Sequence, residues 1–393
     1  MGRLVPLGGR ARRFLKLGLA VLFAAYAGLE LFSIWENLRI GNIWFNDFFE
    51  IWSFAKFPLM NHAADIYDRS ILAEFQRSLG GTHGRYIYPP SFLLLIIPFG
   101  LLDYYPAYEL WGLGTFILYF AVSQRREWPR FANFLIVSSP ATVVTLVFGQ
   151  TGFLISALIV GGFRFASCRP ILSGILFGLV SIKPQFGILI PIALVSARRW
   201  LTMAAASGTI VVLIFTSSVA FGWSIWPLWA SGFLAHADWA GSAWPQFMPT
   251  IIKNLTFLGV DLFVARRIQL AVAVFIAGII WLCFRHGVTN LGIAALLVGT
   301  FLATPYAFVY DMPMVTNAIL AVAYNKERVR RPLQMPEAFI LLWSLILPAL
   351  MVAKRTTWVQ QSRCIPLILL FGLIAWHHFR GRRDVAKSGS CLV

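Results

Sequence analysis

Residues 91–102 read SFLLLIIPFGLL and follow Tyr86-Ile87-Tyr88-Pro89-Pro90. The two prolines hold Tyr88 in an extended conformation and start a helix sharply. At about 12 residues the run is shorter than the roughly 17 that a helix needs to cross a bilayer, so it is read as re-entrant or half-inserted. That reading sets the topology. The apolar segments after it then alternate: 105–123 inward, 131–148 outward, 152–165 inward, 171–182 outward, 186–196 inward and 201–221 outward. Gln124-Arg125-Arg126, the basic stretch 164–169 and Arg198-Arg199 all fall inside, as the positive-inside rule requires. A full crossing by 91–102 would put all three outside. Lys183, next to Pro184, is the exception and becomes external.

Composition explains why membrane rules apply. Hydrophobic residues make up 59% of the 393-residue chain and charged residues 12%, against about 25% charged in an ordinary globular protein. Mean hydropathy is +0.73. The chain is read as an all-α polytopic membrane protein, a single integral domain over 1–393. Its net charge of +17 lies in short Lys/Arg clusters between apolar runs, the pattern of loops held inside and not of a nucleic-acid footprint. Cys168, Cys283, Cys364 and Cys391 have no CxxC spacing, so neither a disulfide nor a metal is indicated.

Arg10, Arg12, Arg13 and Lys16 lead into an apolar run over 14–35, read as an uncleaved signal-anchor entering from inside. The first loop, 36–90, is therefore external. Further spans are expected at 268–284, 291–303, 312–324, 338–353 and 364–379, with Lys326 to Arg331 and the basic tail 380–393 inside. This gives about twelve helices. A Trp-rich second external loop covers 222–267, with 251–267 at the interface. Several spans are short and carry Pro or Gly, so broken helices around a polar cavity are expected.

Of the chain's 16 acidic residues, Asp47, Glu50, Asp65, Asp68 and Glu74 lie in the first loop. Carboxylates are costly beside a bilayer, so their gathering points to chemistry. Ile71, Leu72, Phe75 and Leu79 fall at helical spacing among polar residues, the pattern of an amphipathic helix on the membrane surface. Other polar residues near helix ends collect on the same external face: Arg85 and Tyr88, Gly149-Gln150, Lys183-Pro184-Gln185, His236 and Asp238, and Tyr306, Tyr310 and Asp311. Each has a plainer reading. Asp47 or Asp311 would cap a helix, Lys183 would snorkel to headgroups, Gln150 would satisfy a helix terminus, and His236 would be an ordinary loop residue.

The order of these motifs resembles glycosyltransferase family 87. Asp47 stands among aromatic residues, Tyr86-Ile87-Tyr88-Pro89-Pro90 precedes a Leu-rich run ending in Pro98, and Gly149-Gln150 follows a Pro-bearing helix. Ile182-Lys183-Pro184-Gln185 and then Pro305-Tyr306 with Tyr310-Asp311 complete the series. The resemblance implies a GT-C-type membrane enzyme that moves a sugar, mannose first and arabinofuranose as the alternative, from a polyprenyl-phosphate donor to a glycolipid or glycan acceptor. It implies Asp47 as the catalytic base. Lys183 and Arg85 are the candidates for the donor phosphate, and Tyr88, Gln150, Gln185, His236, Tyr310 and Asp311 for the sugar or acceptor hydroxyls. Neither a cofactor nor a metal is called for: no Gly-rich nucleotide loop and no Asp-x-Asp motif occurs. The expected location is the inner cell membrane with the site facing outward. A lipid-linked-sugar flippase is the rival class, but the polar residues gather on one face and the two halves show no repeat. A membrane O-acyltransferase would bury a His in a helix, whereas His286, His377 and His378 sit at basic ends.

Overall fold

The computed structural model describes residues 47–81, 84–125, 128, 131–239, 245–328, 332–353 and 357–388. The predicted signal-anchor lies outside them. Among the described residues all regular structure is helical. The described residues of the predicted first loop are largely helical: α1 (Phe48–Met60) and α2 (Arg69–Ser78) precede α3 (Pro90–Gly100). Asp68 caps α2 by accepting from the Ser70 and Ile71 N–H groups. Leu72 of this amphipathic helix is buried and Ile71 is exposed. α3 is the helix that the Pro-Pro step predicts, and at 11 residues it stays short. It packs against α1, where Trp52 Nε1 donates to the Leu102 carbonyl at 3.0 Å.

Beyond it come α4 (Tyr104–Ser123), α5 (Ala132–Ser138), α6 (Pro140–Phe148), α7 (Gly152–Phe165), α8 (Pro170–Leu179), α9 (Ile190–Ser196) and α10 (Trp200–Phe221). The segment 131–148, expected as one helix, is two. Pro140 has no N–H to continue the ladder, and Ser139 turns extended and caps α6 through Thr142 N–H. Likewise 186–196 forms a regular helix only from Ile190, because Lys183-Pro184 breaks the chain into two short 3₁₀ turns. In the predicted second loop, residues 225–239 form α11 (Ile225–Trp239), followed by α12 (Ile251–Phe257). α13 (Leu262–Phe284) begins before residue 267 because Asp261 caps it there. The remaining helices are α14 (Asn290–Ala303), α15 (Pro313–Arg328), α16 (Met335–Ala353), α17 (Thr357–Ser362) and α18 (Ile365–Ser388), the last running into the predicted tail.

Among the described residues three helices, α10, α13 and α16, are long and apolar enough to cross a membrane. On α10 and α13, Val211, Phe215, Val219, Leu270, Val274 and Phe275 are more than half exposed. Such surfaces suit a lipid solvent and not water. The centre is the reverse. α7 is buried from Gly152 to Phe163, α14 from Leu291 to Ala303, and α15 from Pro313 to Val322. The start of α7, the end of α14 and the start of α15 carry the loops that build the site.

Candidate functional site

Two glycines let three chain segments meet. Gly149 ends α6 with φ +62°, and a Cβ there would lie 2.5 Å from Phe48 Cβ and 2.9 Å from the Tyr108 ring. Only glycine satisfies both the left-handed turn and the close approach. Gly149 thereby brings Gln150 beside the start of α1, where Asp47 sits. Gly152 opens α7 directly under the Tyr310 carbonyl oxygen, which a Cβ would overlap at 1.8 Å. Thr145 Oγ1 donates to that same carbonyl at 2.7 Å.

The polar side chains fall into two linked corners. In one, Gln150 Nε2 donates to Asp47 Oδ2 and Tyr88 Oη donates to Gln150 Oε1, both at 3.5 Å. These are long hydrogen bonds. The Asp47 side chain makes no capping bond to α1, so the helix-cap reading does not hold for it. Burial pushes the Asp47 carboxyl up to about 6, against the Gln150 contact. In the other corner, Lys183 Nζ contacts Asp311 Oδ1 at 2.6 Å and Thr151 Oγ1 at 3.2 Å. The ammonium lies 5.1 Å from the Phe186 ring centre and 5.2 Å from that of Tyr310. With 3% of its surface exposed, Lys183 does not snorkel to headgroups. Asp311 turns its second oxygen back to the Phe308 N–H at 3.0 Å and so closes the 308–311 turn.

Glu50 also belongs to the first corner, although the sequence reading gave it no role. It lies one helical turn after Asp47, packs where a Gly84 Cβ would come within 2.5 Å of its carboxyl carbon, and is half-buried. Burial, and then the Asp47 charge, push it up to about 8. The i, i+3 spacing of two acids on one helix face was the available signal. Thr151 was missed as well; a hydroxyl next to Gln150 carries no signal in sequence alone. Tyr306, one residue after Pro305, stacks edge-on to Phe308, which lies flat on Tyr310.

Arg85 is half-buried on the segment leading to Tyr88, with the like charge of Arg69 among its neighbours. Gln185 is half-buried on the turn beside Lys183. His236 lies on α11, and its side chain is outside the described residues. An apolar cavity of about 170 Å³ is lined in part by chain neighbours of the cluster residues. Its lining includes Ser91, three residues after Tyr88, and Ile182, next to Lys183, and extends along Leu95, Leu154 and Leu213. A second cavity, about 340 Å³, shares Leu95 and Leu154 and continues along Phe99 and Leu110.

The sequence model of glycosyltransferase family 87 matches residues 86–308, more than half of the chain. The chain belongs to glycosyltransferase family 87. Membership makes this family 87 protein a membrane glycosyltransferase, with a sugar donor and an acceptor. The matched span takes in Tyr88, Gln150, Lys183, Gln185 and His236, and leaves Asp47, Arg85, Tyr310 and Asp311 outside it. Comparison with curated proteins and with solved structures gives no match.

Proposed function

We propose that the protein transfers a sugar, mannose first, from a polyprenyl-phosphate donor to a glycolipid or glycan acceptor by single displacement with inversion. One observation carries this reading: Lys183, buried against Asp311 and Thr151, directly follows Ile182, which lines an apolar cavity shared with Ser91 of α3. A lipid phosphate needs such a junction, an apolar groove for the chain and a fixed charge for the headgroup.

Asp47 takes the proton from the acceptor hydroxyl, whose oxygen forms the new bond to the anomeric carbon. The bond from that carbon to the phosphate oxygen breaks, and its electron pair leaves on the polyprenyl phosphate. A phosphate leaves without a strong general acid, so one carboxylate suffices, unlike glycoside hydrolysis. Lys183, preorganised by Asp311 and Thr151, offsets the charge that builds on the phosphate. Gln150 and Tyr88 orient the sugar or acceptor near Asp47. Arg85, Gln185, His236 and Tyr310 remain candidates for the outer contacts.

The site faces outward in the twelve-span topology, in the inner cell membrane. Transfer assays with purified protein and short-chain polyprenyl-phosphate-mannose, then the arabinofuranose donor, test the reaction. Transfer from a lipid-phosphate sugar with inverted configuration is expected; transfer only from a nucleotide sugar overturns the donor assignment. A cysteine replacing Gln124 should be shielded from an impermeant thiol reagent in intact cells, and labelling there overturns the topology.

A further inference from the structure

The extended segment 84–89 carries Tyr88 to the transfer site with no strand beside it among the described residues. Its backbone groups need partners nonetheless, and side chains supply them. Gln76 Oε1 on α2 accepts the Gly84 N–H at 2.8 Å. Trp229 Nε1 on α11 donates to the Ile87 carbonyl at 3.3 Å, and Tyr67 Oη donates to the Tyr88 carbonyl at 2.8 Å. Tyr86 Oη donates to the Pro89 carbonyl at 3.1 Å. Three successive carbonyls thus each accept from an aromatic side chain.

A peptide unit is planar, so holding its carbonyl holds its plane. The Ile87 and Tyr88 carbonyls belong to the two peptide units that flank the Tyr88 Cα. Trp229 and Tyr67 therefore fix the direction in which the Tyr88 side chain leaves the backbone. Both donors are themselves anchored. Tyr67 ends a 3₁₀ turn (Ala63–Tyr67) between α1 and α2, and its ring meets that of Tyr86 edge-on at 5.3 Å. Trp229 packs edge-on to Trp226 at 5.5 Å, and Trp226 Nε1 donates to Ser217 Oγ on α10 at 3.3 Å. The Tyr88 ring in turn lies 4.3 Å from that of Phe92, with its hydroxyl at Gln150 Oε1.

An amide can face a carboxylate with either end. By donating to Oε1, Tyr88 leaves the Gln150 NH₂ for Asp47. We propose that Tyr67 and Trp229 are positioning residues of the transfer reaction: through the two carbonyls around Tyr88 they orient Gln150 against Asp47. This inference rests on the transferase reading.

The test compares Tyr67→Phe and Trp229→Phe, each of which removes a donor and keeps an aromatic ring. Transfer per folded molecule is followed against pH with the full chain in detergent, beside the unfolding midpoint. With Gln150 no longer held, Asp47 loses the contact that favours its charged form. The acid limb of kcat should then move from 6 to higher pH, by up to about one unit, in both variants. The donor's KM should stay, since Lys183 is untouched. The titratable groups that act with Asp47, namely Glu50, Tyr88, Tyr306 and Tyr310, remain in both variants. Tyr88→Phe should move the limb the same way, and on that background neither substitution should move it further. A lower midpoint with the limb still at 6 would make Tyr67 and Trp229 structural only and overturn the inference, as would an additive shift on the Tyr88→Phe background. A wild-type enzyme without a limb near 6, or full transfer by Asp47→Asn, would instead overturn the base assignment and this inference with it.

Discussion

Lys183 and Lys326 each reach a buried carboxylate at 2.6 Å, Asp311 and Glu337 respectively, in different surroundings. Glu337 is saturated. Its Oε1 also meets His377 Nε2 at 3.0 Å, and its Oε2 accepts the Gln334 N–H at 2.9 Å, so the contacts join α15, α16 and α18. Asp311 is saturated in a similar way, but its neighbours are not. Among the described residues the Asp47 carboxylate has one long contact, to Gln150, and Ile182, next to Lys183 in the chain, lines the apolar cavity. A buried ion pair thus marks nothing by itself; the underused groups around it mark the site.

The sharpest break between the two regions is expected at Asp47. Asp47→Asn should lower single-turnover transfer by about 10²–10⁴-fold, the usual worth of a general base. Its stability should move the other way. The folded Asp47 pKa of about 6 lies above the ordinary 3.8, so its contribution is fullest below pH 4 and is lost as pH rises through 6. The Asn variant should therefore melt higher than wild type at pH 8. Full transfer by this variant would remove the base assignment.

Next in size is the pair of lysines. Lys183→Met leaves the buried Asp311 carboxylate without its cation, at a cost of about 3–5 kcal/mol in unfolding free energy; Lys326→Met should cost less, because Glu337 keeps His377 and the Gln334 N–H. Only Lys183→Met should also raise the donor's apparent KM and slow transfer per folded molecule. Equal losses of transfer in the two variants would erase the functional contrast.

A smaller effect follows from pH. Wild-type kcat should fall about tenfold per unit below pH 6, where Asp47 takes up its proton. Lys326→Met should keep that acid limb, and a limb centred near the ordinary carboxylate range would mean that Asp47 is not desolvated in the working enzyme.

Proline was legible as a break at one position and not at another. Pro89-Pro90 starts α3 as expected, whereas Pro140, expected inside one span, divides it into two through its missing N–H. The helix in 225–239 was not legible, because its tryptophans read equally as an interfacial loop. The site's membership was visible as a set of odd polar residues at helix ends, but its pairings were not. Gln150 meets Asp47 across 103 positions and Lys183 meets Asp311 across 128. Such partners are fixed by the packing of α7, α14 and α15, which periodicity does not encode.

Glu50 gives the smallest expected effect and the finest test of the Asp47 corner. With its carboxyl pushed up to about 8, Glu50 is protonated at pH 7, so Glu50→Gln replaces one neutral group with another. Transfer at pH 7 and the acid limb near 6 should be little changed. Above pH 8 the wild-type carboxyl ionises next to the path of an anionic donor, and donor kcat/KM should decline. In Glu50→Gln that alkaline decline should disappear, because no second charge forms. Loss of transfer at pH 7 in Glu50→Gln would mean that the Glu50 proton itself takes part, and the two carboxyls would then have to be treated as one titrating unit in place of a single base.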